Sequence, residues 1–350
     1  MNRFKISIFI LFSVFLQTSH AQTFYAGGEH KSTADLFYPE QWKSKELKAT
    51  TDNIAGNFNI SAGVSKNYLD AEFDISQKLQ GYFWGNGNMV FVAAKANGIK
   101  IPKAEGSYSL EGKYYFLHST QFTVKKDIKF SENFKIRLEP HIFSIHDFHY
   151  GESNLNINVK GKTGVLRGTL NRVGTRSFGI LRNEKDDSGW GWGLNFSADY
   201  QLGPLAFNAR VENLLSQLRF STIHYSDRTY NASVQGGSIY GAGDNLALTG
   251  RYNYKSTTMR LPVLTNIGVR HDSFDNFSVG AYSLGNVVVP WVNMDFRYQD
   301  FGFSISSMKF KNLMLSLSWM PQKNFQAGVG LHYTKESSVQ LASMYARYEW

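Results

Sequence analysis

The last twelve residues, Val339 to Trp350, alternate without a break and stop on an aromatic side chain. Ala342, Met344, Ala346, Tyr348 and Trp350 fall on one face, and Leu341, Ser343, Tyr345, Arg347 and Glu349 on the other. Successive side chains of a strand point to opposite faces, so the stretch has one apolar face ending in a Tyr/Trp pair and one mixed, polar face. Such a strand suits a bilayer wall, apolar toward lipid and polar toward a lumen.

The other end of the chain points the same way. Arg3 and Lys5 precede an apolar run from Ile6 to Leu16, and Gln17-Thr18-Ser19-His20-Ala21 places small residues where a signal peptidase reads them. Cleavage is expected after Ala21. A short membrane anchor is the alternative, but the run falls short of the roughly 20 residues a helix needs to cross a bilayer.

No later apolar run is long enough for a transmembrane helix, and the mean hydropathy is −0.31. A secreted soluble protein would satisfy both facts. Against it stand 31 Gly, 27 Phe, 19 Tyr and 7 Trp with only 7 Pro, the mixture that aromatic strands alternating with small inward residues produce. The absence of cysteine removes disulfide frameworks and thiolate chemistry. A sheet closed by backbone hydrogen bonds needs neither.

Internal strands repeat the pattern. From Gly189 to Tyr200, Trp190, Trp192, Leu194, Phe196, Ala198 and Tyr200 share a face opposite Gly189, Gly191, Gly193, Asn195, Ser197 and Asp199. A soluble sandwich turns its large residues into one core, whereas aromatics set against glycines across the pleat argue for a lipid face carrying Trp190, Trp192, Phe196 and Tyr200. Val287 to Tyr298, Phe301 to Met308, Leu313 to Trp319, Phe325 to Tyr333 and Val339 to Trp350 then follow as a meander with brief connections.

The signal segment and the aromatic terminal strand together resemble the Gram-negative outer-membrane β-barrel class, within which no specific family is indicated. The resemblance implies that Tyr348 and Trp350 form the signal read by the barrel assembly machinery. The expected fold is all-β, a transmembrane antiparallel up-and-down barrel of about 14 strands, with 12 or 16 as alternatives because such barrels favour even numbers. Its expected setting is the outer membrane, among its lipids and lipopolysaccharide. The expected organisation is a signal peptide at 1–21, a polar lead-in or plug at 22–54 and the barrel at 55–350. Parity breaks at Ile142-Phe143, where a bulge is expected. Gln22 to Asn53 does not alternate and holds Lys43, Lys45, Glu46 and Lys48 in one polar block.

Function should reside in the lumen. One face of the segment after Ser153 offers Asn154, Asn156, Asn158, Lys160 and Lys162, while Leu155, Ile157 and Val159 take the other. Arg167, Arg172, Arg176 and Arg182 follow with no intervening carboxylate, in a chain of net charge +9, or +7 once Arg3 and Lys5 are removed. Basic residues in a confined pore concentrate anions. The competing reading places the same cations at the rim, against lipopolysaccharide phosphates.

Catalytic constellations are thin. His271-Asp272-Ser273 has the residue types of a hydrolase triad, but consecutive strand residues point apart. His141 and His149 would lie about 26 Å apart on an extended strand, at about 3.3 Å per residue, too far to share a metal. No cofactor, metal or nucleic-acid motif is recognised, and no enzymatic role is expected, although outer-membrane lipid hydrolases can hide Ser and His on separate strands. Three functions remain: a passive channel or solute transporter for small or anionic solutes, a structural or secretion-associated barrel, and a lipid-modifying enzyme.

Removing Tyr348 to Trp350 should reduce assembled barrel in membranes more than Glu349→Ala does, since only the first removes the interfacial anchor. Equal membrane levels, measured by immunoblot of outer-membrane fractions, would contradict the role given to that end.

Overall fold

The computed structural model describes residues 22–32, 53–86, 106–160, 163–175, 189–235, 246–271, 277–308, 312–322, 324–334 and 340–349, and among these every regular element is a strand. The wall begins with β1 (Gln22–Ser32), β2 (Asn53–Tyr68), β3 (Ala71–Asn86), β4 (Gly106–Lys129) and β5 (Phe134–Lys160). It continues with β6 (Thr163–Gly174), β7 (Gly189–Leu202), β8 (Leu205–Gln235), β9 (Leu246–Met259) and β10 (Leu264–His271). It ends with β11 (Phe277–Leu284), β12 (Val287–Tyr298), β13 (Phe301–Met308), β14 (Asn312–Gln322), β15 (Phe325–Thr334) and β16 (Gln340–Glu349).

All pairings are antiparallel, and β16 returns to β1 with Tyr348 opposite Phe24 and Ala346 opposite Ala26. The sheet is therefore closed into a ring. Sixteen strands make fourteen columns. β6 and β7 both fill the space between β5 and β8, β6 against their later residues and β7 against their earlier ones. β9 and β10 share the other edge of β8 in the same way. The link between them, residues 260–263, contains Pro262, whose missing N–H cannot continue the ladder. The barrel of about 14 strands expected from the sequence is the one observed, with two columns each built from two pieces.

The wall is uneven. β5 has 27 residues and β8 has 31, whereas β10, β11 and β13 have 8 each. At about 3.3 Å per residue, β8 runs for roughly 100 Å and rises well beyond a bilayer. The shorter strands stop near the bilayer itself.

Alternation sorts the side chains. Met294, Phe296 and Tyr298 on β12 face out beside Ile305, Phe303 and Phe301 on β13, and all six are exposed. Behind them Gly302, Ser304, Ser316 and Ser318 face the lumen. Trp190, Trp192 and Tyr200 are exposed on the outer face, with half-buried Phe196 between them. Tyr348 is exposed on the same surface; Trp350 lies outside the described residues. The inward glycines of β7 leave room for bulk from β5. A Cβ at Gly191 would meet the Phe143 ring at 2.5 Å, and one at Gly193 would fall on the His141 imidazole.

Two expectations need correction. Gln22–Ser32 is no lead-in: it is β1, paired along its length with β2 and from Thr23 to Glu29 with β16. Its pattern is weak because the outward Gly28 leaves space for Ile60, while the inward Tyr25 is large. The rest of that block, with its lysines, lies outside the described residues. The irregularity in β5 is not at Ile142-Phe143. Ile142 faces out and Phe143 faces in, both apolar because the lumen is itself apolar at that height. The register shifts instead at His146, which has no partner between Asp147↔His118 and Ile145↔Ser119.

Gly191→Leu should sharply reduce the fraction of protein that migrates as a compact barrel in unboiled gel samples, because its branched side chain would collide with Phe143. Trp190→Phe, on the outer face, should leave that fraction near wild type. Equal heat-modifiable fractions for both variants would refute the close packing of β7 on β5.

Candidate functional site

The lumen is divided in two by height. Its upper level is apolar. One cluster joins Leu117 of β4, Phe143, Ile145 and Phe148 of β5, Val173 of β6, Leu218, Phe220 and Ile223 of β8, and Leu261. A second joins Ala55 of β2, Tyr82 of β3, Leu264 of β10, Tyr282 and Leu284 of β11, Val287 and Val289 of β12, and Met308 of β13. Tyr115 packs against both, stacked on Trp84 at 5.7 Å and beside Tyr150 at 4.8 Å.

This layer crosses the lumen. β3 and β11 stand six columns apart one way round the ring and eight the other, so their side chains meet only through the middle. The two-residue turn Gly285-Asn286 between β11 and β12 ends at mid-height, and Gly285, with φ of 60°, lies against the Trp84 indole where any Cβ would collide. Fully buried side chains such as Phe148, Leu117 and Leu218 each stabilise by about 1.5–3 kcal/mol. The layer is thus also the barrel's core.

Asn213 ties the layer across. It is buried at a φ of 56°, a costly conformation for a residue with a side chain. Its Nδ2 donates to the Pro262 carbonyl at 3.0 Å and to the Tyr82 hydroxyl at 3.3 Å, and its N–H donates to Asn195 Oδ1 at 2.8 Å. Beside it Ser216 Oγ accepts from the Leu261 N–H at 2.9 Å. These bonds occupy backbone groups that the break in the β9–β10 column frees.

Below the layer, toward the end with the tight turns, lies a polar chamber of about 310 Å³. Its carboxylates are Glu72, Asp74, Glu139 and Glu212, and its cations are Lys78, Lys125, Arg137, Arg210 and Arg347. Most are held by a partner. The Tyr25 hydroxyl donates to Asp74 at 2.5 Å and Ser76 Oγ to the same carboxylate at 3.0 Å. Lys125 reaches Glu72 at 2.8 Å. Arg210 lies 3.1 Å from Glu212 and 3.9 Å from Glu139, which also accepts from Asn195 Nδ2 at 3.3 Å. Arg137 grips Asp127 through two nitrogens, at 2.5 and 2.9 Å. Paired in this way, most of the chamber's charges offset one another.

The lumen residues expected from the sequence are elsewhere. The shift at His146 gives Asn154, Asn156, Asn158 and Lys160 the inward face of Phe148 and Tyr150. They are exposed, beyond the apolar layer on the tall wall, with Asn156 opposite Arg167 on β6. Lys162 lies outside the described residues. His141 is buried facing the lumen, where its Nδ1 lies 3.1 Å from the Glu139 carbonyl, while His149 faces outward, so the two cannot share a ligand. The chamber residues themselves escaped the sequence reading. Their signal was present on β3, where Asp74, Ser76, Lys78 and Gln80 alternate with Phe73, Ile75, Gln77 and Leu79.

No family model matches this chain, and no curated protein matches it. Among solved structures it is similar to the Pseudomonas putida toluene transporter TodX, at 8% identity over 96% of this chain and 89% of that one, with a TM-score of 0.42. It is also similar to the CymD monoaromatic hydrocarbon channel, at 8% identity over 95% and 88% with a TM-score of 0.38. The translocator domain of the autotransporter NalP from Neisseria meningitidis aligns at 7% identity over 99% and 94%, with a TM-score of 0.29. Likenesses this distant do not extend to any ligand or site.

Tyr25→Phe should destabilise the barrel by about 1.5–3 kcal/mol, since it removes a hydrogen bond to a carboxylate that is almost wholly buried. The urea midpoint of barrel refolded into vesicles measures this. An unshifted midpoint would mean that water replaces the hydroxyl without cost.

Proposed function

We propose that this barrel is an outer-membrane channel or solute transporter whose pathway is shut at mid-height by the apolar layer. The observation that carries the reading is the contact of Trp84 on β3 with the Gly285 turn from the far side of the ring. A wall of this circumference encloses a lumen, and here the lumen holds an apolar constriction above a wet chamber. Apolar constrictions gate pores by excluding water, and they open when their sides part.

Parting is local in this geometry. The β11–β12 hairpin is short, its tip is a two-residue turn, and among the described residues its ladder bonds to the rest of the wall run through β10 and β13. Tyr82, Trp84 and Asn213 hold the opposite side. The anion preference expected from the sequence belongs to the mouth, where Asn154, Asn156, Asn158, Lys160 and Arg167 line the inner face of the tall wall. Outer-membrane lipids and lipopolysaccharide surround the barrel in this reading, and the assembly machinery inserts it.

Planar bilayers test both parts. Wild-type protein should conduct rarely, whereas Trp84→Ala and Asn213→Ala, each removing a tie across the layer, should raise mean conductance several-fold while keeping the heat-modifiable gel shift. Folded variants as silent as wild type would sink the gating reading. In the conducting background, Lys160→Glu with Arg167→Glu should move the reversal potential toward cations, and the effect should weaken as salt shortens the Debye length below about 10 Å. An unmoved potential would take those cations out of the path.

A further inference from the structure

Four of the five cations around the chamber have a carboxylate within 4.0 Å: Lys125 has Glu72, Arg137 has Asp127, Arg210 has Glu212 and Arg347 has Glu349. Lys78 has none among the described residues. It stands midway up β3, on the inward face between Asp74 and Tyr82, and it lines the chamber just under the apolar layer. Charged groups near enough to act on its ammonium include Asp74, Glu212, Glu139 and Lys125. All four are already engaged: Asp74 by Tyr25 and Ser76, Glu212 and Glu139 by Arg210, and Lys125 by Glu72. Among the described residues no group bonds the ammonium, so its three donors remain open.

Its surroundings are open too. Ser119, opposite Lys78 in the β3–β4 register, is wholly buried and its hydroxyl has no hydrogen-bond partner. The ammonium therefore projects away from that near acceptor and into the chamber. Asn59 lines the same space from β2, and its buried Oδ1 lacks a partner as well. Buried polar groups left unpaired are costly, and their concentration at one place marks where an outside group completes the set.

We infer that Lys78 and Asn59 form a binding site for a small hydroxylated carboxylate, held in the chamber beneath the apolar layer. A carboxylate accepts from Lys78 in a charge-assisted hydrogen bond, and a neighbouring hydroxyl donates to Asn59 Oδ1 once the amide turns toward the chamber. A single negative charge suits a chamber where one cation is unpaired; a dianion would also face Asp74, Glu139 and Glu212. A space of 310 Å³ holds about ten waters at about 30 Å³ each, which is room for a sugar acid. The site deepens the channel reading, on which it rests, by naming the class of solute that pauses under the gate.

Gluconate is the probe and glucitol its uncharged control, each titrated into full-length mature protein in detergent at constant ionic strength, with binding followed by calorimetry. Gluconate should bind saturably and glucitol should not. Lys78→Met should weaken gluconate by at least about tenfold, the worth of one charge-assisted hydrogen bond, and Lys78→Arg should restore most of it. Independently of any variant, gluconate should protect Lys78 from reductive methylation in the wild-type protein, read by peptide mass spectrometry. Absence of saturable binding, binding indifferent to Lys78→Met in a folded barrel, or methylation unaffected by gluconate would overturn the site. Binding through Lys78 in a barrel that passes no solute across liposomes would keep the site and remove the channel; solute flux without gluconate binding would do the reverse.

Discussion

Ring closure between β1 and β16 is the constraint on which everything else depends. A strand in lipid cannot leave its N–H and C=O groups unpaired, so the first and last wall strands must find each other. β1 does this, pairing Gln22 to Ser32 with β2 and Thr23 to Glu29 with β16. Once the ring is shut, every wall residue has one of two destinations, lipid or lumen, and the alternation of the chain decides which.

The lumen is not uniform, and its layering follows from wall height. Where β10 to β13 are short, the β11–β12 turn ends at mid-height instead of emerging as a long loop. Its Leu284 and Val287 would be wet there without cover. Tyr82, Trp84 and Tyr115 from the taller wall supply it, and the inward positions of β5 and β8 become apolar at the same height. Below that height inward residues line a polar chamber, so they can be charged, and most are paired because fixed charges in a confined space otherwise repel or go unsatisfied.

Three breaks in the ladder occur where these layers meet. β5 shifts register at His146, β8 between Phe220 and Ile223, and the β9–β10 column breaks at residues 260–263. Each break lets a column change which parity faces inward, so apolar side chains can follow one another into the layer without reversing the outer face. Asn213 and Ser216 then bond the backbone groups that the broken column exposes. The place where the wall is least regular is also where the two halves of the lumen are held together.

The barrel was legible in the sequence because its signal is local. Alternation in Gly189 to Tyr200 and in the final meander depends only on which face meets lipid, and lipid makes the same demand of every strand. β1 escaped because Gly28 and Tyr25 respond to neighbours, Ile60 and Asp74, that are distant in the chain. Phe143 looked like a fault in the pattern because an apolar lumen was not foreseeable from one strand. The chamber was missed for a similar reason: Asp74, Lys78, Glu139, Arg210 and Glu212 come from three strands, and only ring closure shows that they share one space.

The sequence by itself determined the all-β class, the lipid-facing parity of the strongest strands and the aromatic character of the terminal strand, since each follows from backbone geometry and the apolar solvent. Tertiary structure alone decided how sixteen strands make fourteen columns, where the apolar layer crosses the lumen, and which chamber cation among the described residues lacks a carboxylate within 4.0 Å. Those depend on register, strand length and contacts across the ring. No periodicity along a single strand carries the distance to the opposite wall.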